Sequence, residues 1–104
     1  MEKIYKYPLA LEDKQTIEMP IGSQILCVQT QFNQPYIWAM VNPNLPPIGV
    51  KIEIYGTGES ITNPFPSYLK YIGTFQINNG HEVYHVFLNE LVSVPINCLA
   101  NAFT

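Results

Sequence analysis

The amino-acid sequence predicts an all-β fold, a small antiparallel sandwich or partly open barrel of six to seven strands. Three observations carry this expectation. Apolar residues come in short runs, several alternating with a period of two, which is the signature of strands. Nine prolines and frequent β-branched residues interrupt the windows long enough for a stable helix. Asn79-Gly80, set between two alternating runs, supplies the positive-φ pair that a tight hairpin turn needs.

Taken in order, Ile4 to Leu9 is a first strand, ended by Pro8, and Gln15 to Met19 is a pairing partner that closes at Pro20-Ile21-Gly22. Gln24 to Gln31 opens with the apolar block Ile25 to Val28. Tyr36 to Val41 is apolar on both faces and reads as a central, covered strand, with Trp38 in the core. Val50 to Tyr55 alternates cleanly, Val50, Ile52 and Ile54 against Lys51, Glu53 and Tyr55.

Tyr71 to Leu88 forms the hairpin. With Asn79-Gly80 as its loop, Phe75 faces Tyr84, Thr74 faces His85 and Ile72 faces Phe87. One face then carries Tyr71, Phe75, Ile77, Tyr84, Val86 and Leu88, and the other carries Thr74, Gln76 and His85 among Ile72, Val83 and Phe87. A three-residue loop from Asn78 would swap these faces. Single helical turns are allowed only at Pro66 to Lys70 and from Leu91 onward. The chain reads as one domain, 1–104, with its core in 4–88 and an apolar C-terminal extension over 89–104.

Composition narrows the function classes. Charged residues make up 12% of the chain and the net charge is −3, with five lysines and no arginine. That balance speaks against polymeric nucleic acid as a partner, because arginine forks and clustered cations are what such surfaces use. No apolar stretch approaches the roughly 20 residues of a membrane span, and the first residues lack a signal-peptide pattern. Cys27 and Cys98 stand far apart, Cys27 within a strand pattern, so reduced thiols and a cytoplasmic location are expected.

No catalytic constellation emerges. Gly56-Thr57-Gly58-Glu59-Ser60 has the look of a phosphate loop but lacks the Lys-Ser/Thr of one motif and the third glycine of the other. It reads as a sharp exit from a strand, with anion capture by backbone N–H groups as the other possibility. His81 and His85, four residues apart on a strand, are separated by roughly 13 Å, too far for one metal. His85 is expected to be a structural imidazole bonded to Thr74 or to backbone. No cofactor and no metal is called for.

Two loops stand out: the proline-rich Asn42 to Gly49, and Gly56 to Lys70, which exceeds the usual connection. In a simple meander the Asn33-Gln34 turn, the Gly56 to Lys70 loop and the tail after Leu88 share one end, with the Asn79-Gly80 turn opposite. That end is the expected binding surface, with Gly56, Thr57, Gly58, Glu59, Ser60, Asn33, Gln34 and Tyr68 as its candidate residues. The tail from Leu91 carries no charge and is expected to pack against protein, most plausibly across a subunit boundary.

Several segments together resemble an uncharacterised family of small phage and prophage proteins. They are Ile4-Tyr5-Lys6-Tyr7, Gln15-Thr16-Ile17-Glu18-Met19-Pro20-x-Gly22, Ile25-Leu26-x-Val28-Gln29, Trp38-Ala39-Met40-Val41, Gly56-Thr57-Gly58, Tyr71-Ile72-Gly73-Thr74-Phe75 and His85-Val86-Phe87. The resemblance implies a mobile-element origin and a small β fold, assigns no catalytic residues, and makes the chain beyond Leu88 an addition. The expected function is therefore non-catalytic: a phage accessory protein, homo-oligomeric, that engages a host protein or sequesters a small-molecule ligand against host defence. The alternative is a structural or assembly protein of a phage particle.

Overall fold

In the computed structural model, which describes residues 1–91, seven antiparallel strands form two sheets. They are β1 (Lys3–Pro8), β2 (Lys14–Pro20), β3 (Gln24–Gln31), β4 (Gln34–Val41), β5 (Pro47–Gly56), β6 (Leu69–Ile77) and β7 (Glu82–Asn89). The orders are β1-β4-β3 and β2-β5-β7-β6, and the sheets are not closed into a barrel. The all-β sandwich is as the sequence predicts. The tail from 92 onward, including Cys98 and the expected subunit contact, lies outside the described residues.

The core is the sum of the inward positions of both sheets. Ile37, Ala39 and Val41 of β4 meet Val50, Ile52 and Ile54 of β5, with Met19, Val28, Phe75, Ile77 and Val86 filling the space between. The clean alternation of β5 thus resolves as expected. Its partner face holds one surprise, since Glu53 is only 7% exposed. Its carboxylate accepts from the Tyr55 hydroxyl at 2.6 Å and the Asn89 amide at 2.9 Å, which satisfies the buried group.

Several expectations need correction. The first two strands do not pair: β1 pairs with β4, and β2 with β5. The chain between them changes sheets. The Leu9 N–H donates to Pro35 on one sheet, and the Asp13 carbonyl accepts from Ile54 on the other. Gln15 braces the crossing through both backbone groups of Ala10.

Among the described residues β4 is covered on one face only. Tyr36, Trp38 and Met40 point outward and are half-buried, so Trp38 lies on the outer surface of the three-stranded sheet and not in the core. Lys6 stands over its neighbour Tyr36 at 4.5 Å and over Trp38 at 5.7 Å, a cation–π arrangement. Cys27, opposite Trp38, is half-buried.

The hairpin keeps the predicted pairs Phe75–Tyr84 and Thr74–His85, but Tyr71 and not Ile72 faces Phe87. A bulge between Tyr71 and Gly73 adds one residue. It turns Tyr71 from the apolar face to the outer one, where it is 61% exposed. The turn itself contains three left-handed residues, Asn78, Asn79 and Gly80, instead of two.

The topology is no meander, so the ends sort differently. Gly56 pairs with Tyr84, and Asn33 bonds to Asn78, so both lie at the Asn78–Gly80 end. The proline-rich stretch is shorter than expected because Pro47 already begins β5, opposite Pro20. Of Pro66 to Lys70, where the sequence allows a helical turn, only a single turn closed by Leu69 N–H to the Pro66 carbonyl forms, and β6 already begins at Leu69.

Candidate functional site on the outer face of the four-stranded sheet

β5 and β6 run in the same direction with β7 between them, so the chain from Thr57 to Tyr68 must return along the length of the sheet. It does so over the outer face. At its start the Thr57 N–H bonds to Val83, and at its finish the Glu90 N–H bonds to Tyr68. In between, Phe65 packs on Phe87 with ring centroids 5.4 Å apart.

Phe87 is the hub of this face. Tyr55 from β5 meets it edge-on at 5.8 Å, and Tyr71 from β6 does so at 5.6 Å. These are the tilted geometries that ring quadrupoles favour. The cluster is open to solvent, with Phe65 47% and Tyr71 61% exposed. Tyr71 reaches this face only because of the bulge beside it.

A polar chain runs alongside. Thr57 Oγ1 lies 2.7 Å from His85 Nε2, and His85 Nδ1 lies 3.0 Å from Thr74 Oγ1. Thr74 Oγ1 in turn lies 2.5 Å from the Tyr71 hydroxyl. A neutral imidazole donates with one nitrogen and accepts with the other, and hydroxyls can serve either role. His85 thus ties the returning loop to β6, and its bond to Thr74 is the one expected. The sequence indicated Thr74 as its partner, but Thr57 could be found only once the loop was seen to fold back.

The glycine loop is a turn. Glu59 N–H donates to the Gly56 carbonyl at 3.0 Å, with Gly58 at φ +90°. The Gly56 N–H, which an anion nest would use, is directed at the Glu59 carboxylate at 3.3 Å. Gly58, Glu59 and Ser60 are exposed. Of the other sequence candidates, Asn33 joins the Asn78 turn through two hydrogen bonds. Gln34 lies on the other sheet and donates to Leu9 and Pro35, and Tyr68 sits at the opposite end beside Glu90. The structure therefore gathers Gly56 and Thr57 with the outer face, but not Gln34 or Tyr68.

Among the described residues no group of three His, Cys, Asp or Glu side chains is placed to hold a metal ion, and no helix is long and apolar enough to cross a membrane. Among the described residues Tyr55 is the titrating group displaced furthest from its ordinary value. Its hydrogen bond to Glu53, aided by burial and the nearby carboxylate charge, pushes the phenol up to about 12. Tyr84 is raised for the same kind of reason, its bond to Glu82, and Tyr7 chiefly by burial.

Fold and face define a two-sheet β-sandwich protein that presents an open aromatic cluster on its larger sheet. The chain belongs to the family described as Domain of unknown function (DUF7352), whose model matches residues 1–95. That match passes beyond Leu88 into the tail. No curated protein and no solved structure matches the chain.

Proposed function

We propose that this is a non-catalytic binding protein that engages another protein through the outer face of β5, β7 and β6. The observation that carries the reading is the aromatic cluster around Phe87, with Phe65 and Tyr71 left open to water. Aromatic side chains ringed by hydrogen-bonding groups are what dominate protein–protein contacts, because they bury much area at little entropic cost. Here the rings are bordered by Thr57, Thr74 and His85.

A small ligand fits this molecule less well. An open cleft of about 560 Å³ between β1 and β2 offers Gln15 and Gln34 as its amides. Their nitrogens are already committed to Ala10 and Glu12, and to Leu9 and Pro35. The resemblance to small phage and prophage proteins supports a mobile-element origin, and with that origin the partner we propose is a host protein in the cytoplasm whose activity is blocked.

The test compares the wild-type chain with Phe65→Ala/Tyr71→Ala in affinity capture, followed by calorimetry on the purified partner. We expect binding to fall by about two orders of magnitude, as for loss of aromatic anchors, in a chain that still melts cooperatively, with a melting temperature lowered by the lost packing on Phe87. Equal binding by the double variant would overturn the proposal.

A further inference from the structure

We infer that the free edge of β2 is a self-complementary surface through which two copies of this chain pair antiparallel about a two-fold axis at Thr16. β2 ends the four-stranded sheet, and within the described residues its only strand neighbour is β5. The register with β5 determines which backbone groups are left over. Ile54 N–H donates to Asp13, and Ile21 N–H to Pro46, at the two ends of that register. Bonded and non-bonded pairs alternate in an antiparallel ladder. Asp13, Gln15, Ile17 and Met19 therefore bond to β5, and Lys14, Thr16 and Glu18 turn their N–H and C=O groups to the open edge.

The side chains of those same three residues are exposed and share the outer face, while Gln15, Ile17 and Met19 point in. A two-fold axis at Thr16 brings Thr16 opposite its own copy. It also sets Lys14 opposite Glu18 of the second copy, twice over. Each of the three pairs is of the bonded type, and each side-chain pair is neutral or of opposite charge, which favours pairing. Pro20, which has no N–H, closes the ladder at its end.

Lysine on an edge normally guards against stray strands, and β1 shows this. Leu9 N–H bonds to Pro35 in register with the β1–β4 pairs, so by the same alternation Ile4, Lys6 and Pro8 face its open edge. An axis at Lys6 sets lysine against lysine and leaves Pro8 without a donor. On β2 the charge that repels other strands is answered in the two-fold register. The resulting sheet has eight strands. Because the axis is perpendicular to it, both aromatic faces lie on the same side. This inference does not depend on what those faces bind.

The experiment is sedimentation equilibrium on the full chain, with Lys14→Glu and Glu18→Lys made separately. The wild-type protein should sediment at twice the 11.8 kDa chain mass. Each single variant sets like charges opposite one another and should dissociate about tenfold more readily or worse. An equimolar mixture of the two restores opposite charges at both positions and should recover the dimer, which also shows that both variants are folded. A wild-type protein of single mass at every concentration, variants as dimeric as the parent, or a mixture that stays monomeric would each overturn the proposal.

Discussion

Gly73 on β6 lies flush against Val28 on β3, so that a Cβ at position 73 would stand 2.8 Å from Val28 Cγ1 and 4.0 Å from its backbone nitrogen and oxygen. This contact, with the Thr30 hydroxyl donating to the Gln76 carbonyl at 2.9 Å, seals one side of the sandwich.

Gly73→Ala should therefore destabilise the fold by about 1–3 kcal/mol, as overpacking does. Val28→Ala leaves a small cavity of its own. The double variant should recover part of the loss, since the two changes share one space. Strictly additive losses in denaturant melts would show that the two residues do not compete for it.

Gly80 closes a turn in which three successive residues are left-handed, at φ 53°, 57° and 83° for Asn78, Asn79 and Gly80. Gly80→Val should cost about 1–3 kcal/mol, because a β-branched residue is strained there. Its Cβ would also approach Gln76 Oε1 at 3.1 Å. An unchanged melting temperature would refute the turn geometry.

His85→Gln keeps one hydrogen bond of the Thr57–His85–Thr74 chain and loses the other. A loss of about 0.5–1.5 kcal/mol in stability is expected, with faster amide exchange in the loop after Thr57. Partner binding should fall less than in Phe65→Ala/Tyr71→Ala. Abolished binding with an unchanged melting temperature would mean that the imidazole itself touches the partner.

Alkaline pH should weaken the fold through Tyr55. Its phenol is raised to about 12 in the folded chain and ionises near 10 when unfolded. The neutral form is thus favoured by folding. The stabilisation is complete below about pH 10 and is lost as pH climbs through about 12. Tyr84 and Tyr7 act in the same direction. Melting curves across that range should fall less steeply for Tyr55→Phe than for the parent; identical slopes would dismiss the Glu53–Tyr55 bond as the cause.

The sequence by itself determined the strands and the pairing that is local. β5 was legible because its period of two is set by one buried face, and Val50, Ile52 and Ile54 are all buried. Most of the β6–β7 register was legible because the turn residues between Ile77 and Glu82 determine it. The aromatic residues of the candidate site were visible as apolar positions, but nothing in their spacing marked them as one cluster. Only the tertiary structure decided that β1 and β2 part company, because their pairing partners lie 28 to 38 and 27 to 39 residues downstream and no local pattern encodes such contacts. It also decided that Tyr71 turns outward, since one added residue reverses every side chain beyond it, and that β4 has one buried face, since apolarity does not say what covers it. The meeting of Thr57 with His85 and of Phe65 with Phe87 belongs to the same class. A returning loop can only be placed once the order of the strands beneath it is known.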